Sequence, residues 1–204
     1  ADGGPLERTA LIPRGEVTIV DSAWNVMGLR GTGSDTYALK DFFVPASHTV
    51  VPRGVASDLQ PPEGVTPEPD AERREQGTLY RFSPTIVYQC GFAGVALGVA
   101  RALLDSFEAL ARKKAPSGTG VLLCDSTLIQ HRVAVSEARL ASCRAWLSQC
   151  LRDSWDGCVA TGAHQYEHRI AMRHASTYSI REAAQVAEDA YADAGATAIF
   201  ESHP

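Results

Sequence analysis

Concentrated positive charge is missing from this chain. Its 204 residues carry 19 Lys and Arg against 24 Asp and Glu, a formal net charge of −5. Nowhere are the cations clustered as binding to a phosphate backbone requires, which argues against a nucleic-acid surface. Cysteines are few and poorly spaced: Cys90, Cys124, Cys143, Cys150 and Cys158 form an odd set with no C-x-x-C. Neither a disulfide framework nor a zinc knuckle is indicated, no metal is expected, and a reducing cytoplasm is the expected compartment. An initiator methionine, a basic n-region and a signal-like segment are also lacking. The chain opens on Ala1-Asp2-Gly3, stops at His203-Pro204, and reads as a fragment. What remains in bulk, 45% hydrophobic and 21% charged residues, is ordinary for a globular protein able to bury one good core or two small ones. Partners are expected among small molecules and other protein subunits.

The chain changes character along its length. Thr9 to Ile12, Val17 to Val20, Tyr37 to Phe43 and Thr49 to Val51 are short, rich in β-branched or aromatic residues, and punctuated by Pro or Gly. They read as strands that need partners. Pro61, Pro62, Pro67, Pro69 and the charged cluster from Asp70 to Glu75 then mark a linker or surface loop. Residues Phe82 to Ala100 carry no charge and are long enough to span a bilayer. Ser83, Pro84, Thr85 and Gln89, the small residues of the second half and the lack of aromatic belts argue instead for a core helix, and no membrane is expected.

Helical periodicity starts at Ser83, placed to cap, with Pro84 at the first helical position. Ala93, Leu97, Ala100, Leu104, Phe107 and Ala111 recur at alternating steps of four and three until Pro116. A second helix from Asp125 or Ser126 repeats the spacing through Ile129, Val133, Ser136, Leu140, Cys143, Leu147 and Cys150, apolar but for Ser136. A third, alanine-rich, runs from about His164 to Asp193 and ends at Gly195 as a C-terminal cap. Gly94, Gly98 and the alanine face are expected to let helices approach closely. A fourth helix, which an antiparallel bundle needs, is missing, and Thr197-Ala198-Ile199-Phe200 could approach it.

One segment suggests chemistry. Trp24-Asn25-Val26-Met27-Gly28-Leu29-Arg30-Gly31-Thr32-Gly33-Ser34-Asp35 sets three glycines, an aromatic anchor and two hydroxyls between β-like runs. Such a turn can bring backbone N–H groups close to a flat anionic cofactor, and equally it can be a plain hairpin turn. It contains neither G-x-G-x-x-G nor a following Lys-Ser or Lys-Thr. Further on, Arg112, Lys113 and Lys114 precede Ala115-Pro116-Ser117-Gly118-Thr119-Gly120. Cations beside glycine N–H groups make an anion clamp, or a basic helix end answering the dipole.

Taken in order, W-x-x-x-G-L-R-G-T-G-S, a strand ending in Phe43-Val44-Pro45, a long helix, P-S-G-T-G and D-S-x-x-x-Q, the chain resembles the middle-to-C-terminal part of the acyl-CoA dehydrogenase superfamily. The resemblance is to its flavin-dependent monooxygenase branch. It implies a mostly α fold, an up-down helical bundle preceded by the last strands of a β-barrel. Residues 1–52 would then be the end of the middle β-domain, 53–78 a linker or loop, and 79–204 an incomplete C-terminal bundle. By the same resemblance Trp24 packs near the flavin, Ser34 hydrogen-bonds its phosphate or ring edge, and Arg112 reaches the flavin phosphates across a subunit interface. Gln130 matches a common glutamine of the second helix, which could also be packing, and Gly195 and Thr197 lie in a segment approaching the flavin. Thr127 departs from a glutamine often found there in acyl-CoA dehydrogenases proper.

The implied activity is hydroxylation of an aromatic or heteroaromatic small molecule with O2 and reduced FMN or FAD supplied by a separate reductase, in a homo-oligomer that is tetrameric in the family. Two alternatives stand beside it: an acyl-CoA dehydrogenase removing hydrogens from Cα and Cβ of a thioester, and a non-catalytic helical assembly module. No catalytic residue is identified, because the carboxylate and histidine-bearing stretches of the family would fall at or beyond Pro204.

Other motifs read more plainly. His164-Gln165-Tyr166-Glu167-His168 fits H-x-x-E-H, which would set both imidazoles on one helix face, but it sits at a helix start where polar residues are expected. Cys143 and Cys150, seven apart on the seam, read as small core hydrophobes. His131 and His174 read as structural or surface histidines.

Overall fold

The computed structural model describes residues 9–20, 24–50 and 77–200. It forms two compact units, Ala1–Pro67 and Glu68–Pro204, taken separately here. The expected linker falls almost wholly outside the described residues.

In the first unit four strands pair as two antiparallel ladders. β1 (Thr9–Ala10) lies against β4 (Thr49–Val50) in the register Thr9 to Val50 and Ala10 to Thr49, and β2 (Thr18–Ile19) against β3 (Tyr37–Ala38) with Thr18 opposite Ala38. β1, β2 and β3 are each shorter than their sequence runs, and Val51 at the end of the fourth run lies outside the described residues. β3 ends at Ala38, and three residues on Asp41, with a left-handed φ of 51°, keeps the Tyr37 to Phe43 run from resuming as a strand. No residue in the described part of this unit is buried.

The second unit holds three long helices: α1 (Pro84–Ala111), α2 (Thr127–Thr161) and α3 (Tyr166–Ala194). Ser83 caps α1, its side chain accepting from the Ile86 N–H at 3.4 Å, with Pro84 at the first position as expected. α2 stops at Gly162, left-handed with φ 78°, and α3 at Gly195. Both seams match the sequence periodicity. Ala93, Ala100, Leu104, Phe107 and Ala111 of α1, and Ile129, Ser136, Leu140, Cys143, Leu147 and Cys150 of α2, are all buried, while Leu97 and Val133 are partly so. The α2 seam continues through buried Ser154 and Cys158.

Packing fixes the helix directions. Leu104, Phe107 and Ala111 late in α1 share a cluster with Ile129 and Leu140 early in α2 and with Ala183, Ala190 and Ala194 late in α3. Ile86 and Ala93 early in α1 instead meet Leu147 and Cys150 of α2 and Met172 and Ala175 early in α3. The helices therefore run up, down, up, with α3 packed along both others. One end of the unit gathers the end of α1, the start of α2 and the end of α3.

Of the two expectations about close approach, the alanine face holds and the glycines are corrected. Gly94 and Gly98 do not face a neighbour, since a Cβ built at either meets nothing within 4 Å. They lie on the outer face of α1 with exposed Val87, Tyr88, Phe92, Val95 and Val99, and the bundle closes on alanines instead. Within the helices the glycine that admits a neighbour is Gly157 of α2, where a Cβ would lie 2.7 Å from Nδ1 of His168. α1 is, by length and composition, apolar enough to cross a membrane, and the only such helix among the described residues.

Candidate functional site

In the first unit the glycine segment is a self-knit turn built on one carbonyl. The Leu29 oxygen accepts from the Trp24 indole Nε1 at 2.9 Å, from the Thr32 hydroxyl at 2.8 Å and from the Thr32 N–H at 3.1 Å. Arg30 Nε donates to the Val26 carbonyl at 3.0 Å. Gly28 (φ 75°), Leu29 (φ 51°) and Gly33 (φ 58°) are left-handed, which is why glycine recurs here and why Leu29 is strained. Trp24 is half-buried and Ser34 stands exposed directly after the turn. The tryptophan thus shapes the loop that presents the serine. Beside it Arg14, Val17, Ile19, Gly33, Asp35 and Tyr37 line an open hollow of about 410 Å³.

In the second unit the remaining candidates gather at the end just described. Arg112, the cap of α1, is exposed and makes one long contact, 3.5 Å from Nη2 to Glu108 Oε2. The loop after it is ordered by Thr119, whose hydroxyl donates to the Pro116 carbonyl at 2.9 Å, with Gly118 and Gly120 at φ 82° and 64°. Gln130, one turn into α2, donates from Nε2 to the Cys124 carbonyl at 2.9 Å and so braces the turn that starts α2. Thr127 is the first residue of α2. Gly195 ends α3 at φ 60°, ψ −149°, a conformation essentially confined to glycine. The chain then tightens into a 3-10 turn, Gly195–Ile199, that contains Thr197.

Sequence reasoning missed what joins these pieces. Lys114 Nζ donates to the Ala194 carbonyl at 2.6 Å and to the Thr197 hydroxyl at 2.7 Å. The backbone of Lys114 bonds to Leu110 and Leu123, each at 2.9 Å. Close by in sequence, Arg132 of α2 pairs with the buried carboxylate of Asp193. In the sequence Lys114 is one of a basic pair before a loop, and nothing local signals a partner eighty residues on.

At the opposite end the H-x-x-E-H pattern does not put two imidazoles on one helix face. α3 begins at Tyr166, so His164 precedes it and lies against the Phe82 ring at 4.3 Å between centroids. His168 packs on Gly157. Among the described residues no three His, Cys, Asp or Glu side chains form a group fit for a metal. The five cysteines are free thiols. Burial pushes Cys90, Cys143 and Cys150 above the ordinary thiol range, tempered at Cys90 by a hydrogen bond with Ser176 and at Cys143 by Ser179, so these are packing groups and not nucleophiles.

A family model described as acyl-CoA dehydrogenase, C-terminal domain, matches residues 90–204. The chain belongs to that family. Within it, the chain is 29% identical to the indole-3-acetate monooxygenase of Pseudomonas putida over 98% of its own length and 46% of the relative's. It is 26% identical to the flavin-dependent monooxygenase, oxygenase subunit HsaA, of Rhodococcus jostii over 100% of its length and 51% of the relative's. The solved 3-HSA hydroxylase of Rhodococcus sp. RHA1 superposes with a TM-score of 0.76 at 23% identity, covering 98% of this chain and 48% of that one. This acyl-CoA dehydrogenase-family chain thus spans about half the length of the relatives it matches, and α1 from Cys90 on, α2 and α3 lie within the span of the family model.

Proposed function

We propose that this chain belongs to the oxygenase component of a two-component flavin-dependent monooxygenase, which hydroxylates an aromatic or heteroaromatic small molecule using O2 and reduced FMN or FAD. The observation that carries the reading is the bundle end at which Arg112, the Pro116–Gly120 loop and the Gly195–Ile199 turn gather, in a chain whose relatives are named as flavin-dependent monooxygenases. The residues present fit an anionic flavin: an exposed guanidinium whose ion pair among the described residues is a long one, and a glycine loop with two left-handed positions. In this reading Arg112 would pair with the flavin phosphates across a subunit interface, Ser34 would donate to the phosphate or ring edge, and Trp24 would pack near the ring. Gln130, Gly195 and Thr197 would complete the cofactor contacts. When bound, reduced flavin supplies two electrons to O2, one oxygen atom entering the substrate and the other leaving as water. The protein's part is to bind, orient and keep water out. The same reading brings a separate flavin reductase, a reducing cytoplasm, no membrane and a homotetramer, the last supported by the exposed apolar face of α1.

Anaerobic titration of reduced FMN and FAD into the protein extended to its natural termini, followed by mixing with oxygen, tests this. A transient absorbance distinct from reduced and oxidised flavin, with hydroxylated product, is expected. Bleaching of oxidised flavin by an acyl-CoA would move the answer to a dehydrogenase, the reading its family name favours, and no flavin binding would leave an assembly module. In the same protein Arg112→Ala is expected to weaken flavin binding about tenfold, the size of one lost charge-assisted contact, with little change in thermal stability. Equal affinity for variant and parent would remove Arg112 from the site.

A further inference from the structure

We propose that Lys114 is a positioning residue for the flavin site, a clamp that holds the Gly195–Ile199 turn where it can meet the cofactor; this rests on the proposal that Gly195 and Thr197 approach the flavin. Three observations carry it. The Lys114 ammonium spans two consecutive pieces of chain, donating at 2.6 Å to the last carbonyl of α3 and at 2.7 Å to the Thr197 hydroxyl. The first bond satisfies a helix-end carbonyl that has no partner within its own helix, and places a cation at the negative end of the α3 dipole. The second fixes the orientation of a side chain in the turn itself.

The turn needs such a tie. α3 ends in the glycine-only backbone of Gly195 at φ 60°, ψ −149°, so beyond Ala194 the helix no longer dictates where the chain goes. The bond that closes the 3-10 turn at its far end, from the Phe200 N–H to the Thr197 carbonyl, is long at 3.5 Å. A Cβ at Gly195 would sit 3.7 Å from Lys114 Nζ, which puts the ammonium directly over the bend.

The clamp is itself anchored. Lys114 N–H donates to Leu110 at the end of α1, and its carbonyl accepts from Leu123 before α2, each at 2.9 Å. One residue therefore ties the ends of α1 and α3 to the start of α2. It lies two positions after Arg112, so the proposed phosphate contact and the turn share a rigid mount.

The test uses the full-length protein with three variants: Lys114→Met, which keeps length but removes the donors, Lys114→Arg, which restores donors, and Thr197→Val, which removes one acceptor should the methionine variant fail to fold. Flavin affinity is read by fluorescence titration with FMN and FAD, thermal stability without flavin, and amide exchange over residues 195–199 without flavin. Lys114→Met is expected to raise the flavin Kd about tenfold and to speed exchange in the turn by a similar factor. Lys114→Arg should recover most of both, and Thr197→Val should show part of the loss. A parent that binds flavin alongside a Lys114→Met variant of equal affinity overturns the clamp alone, even if the variant melts earlier, because that pattern is structural only. Unchanged exchange in the turn overturns it independently of flavin. A parent that binds no flavin overturns the cofactor reading, and with it the role of the clamp.

Discussion

Gly157 and Gly94 are both glycines within long helices, yet a methyl group at each should act in opposite directions. At Gly157 an added Cβ would meet Nδ1 of His168 at 2.7 Å and Cε1 closer still, so either the ring leaves or α2 and α3 separate. Gly157→Ala should cost about 1–3 kcal/mol, and replacing His168 by Ala in the same protein should return most of it. At Gly94 nothing lies within 4 Å, and alanine removes backbone freedom from the unfolded chain, a gain of about 0.5–1 kcal/mol. Urea unfolding followed by circular dichroism reads both, and equal effects at the two sites would refute the packing account. The sequence invited the reverse assignment, because Gly94 and Gly98 sit four apart within an apolar run as interhelical glycines do. Which face of α1 turns inward is decided by Ala93, Ala100, Leu104 and Phe107, and the glycines are out of phase with them. Residue roles that depend on a distant partner were the least legible. Lys114 finds Thr197 across two helices, and no local pattern encodes that.

At the scale of elements the reading succeeds where one physical period dominates. The α2 seam from Ile129 to Cys150 is legible in the sequence because its positions face a core, and burial selects apolar residues at all of them but Ser136. β1, β2 and β3 are shorter than their sequence runs, since β-propensity registers neither where pairing stops nor the left-handed Asp41 three residues beyond β3. The seam's thiols carry a consequence for pH. Burial raises Cys90, Cys143 and Cys150 above their ordinary value of 9.0. In the unfolded chain these thiols ionise from about pH 9 while the buried ones keep their protons, so above that pH the unfolded state binds fewer protons. Stability from this source is complete below about pH 8 and is lost as pH rises through the folded values. The urea midpoint should therefore fall between pH 8 and pH 10, and it should fall less in Cys143→Ala than in the parent. Equal falls would assign the alkaline loss to other groups.

The whole molecule divides into a unit with a core and a unit whose described residues have none. Helices of 28, 35 and 29 residues share two apolar clusters, whereas the first unit is held by two ladders of two residues each, tight turns and the hydrogen bonds converging on Leu29. A two-stranded ladder without a buried face is marginal in water, which is the same requirement for partners that the short sequence runs announced. Local opening should follow this division. In hydrogen exchange on the 204-residue chain, amides of α1, α2 and α3 are expected to share slow exchange set by a single cooperative opening. Amides of residues 9–20 and 24–50 should exchange about a hundredfold faster or more, roughly 3 kcal/mol of missing protection. The outer face of α1 bears on the same measurement: exchange in α1 that slows as protein concentration rises would mean that Val87, Phe92 and Val95 are being covered by another copy, as the proposed oligomer requires. Should the first unit prove as protected as the bundle, its strands must bury a face against something other than themselves, and the turn carrying Trp24 and Ser34 would be preformed instead of ordered when a cofactor binds.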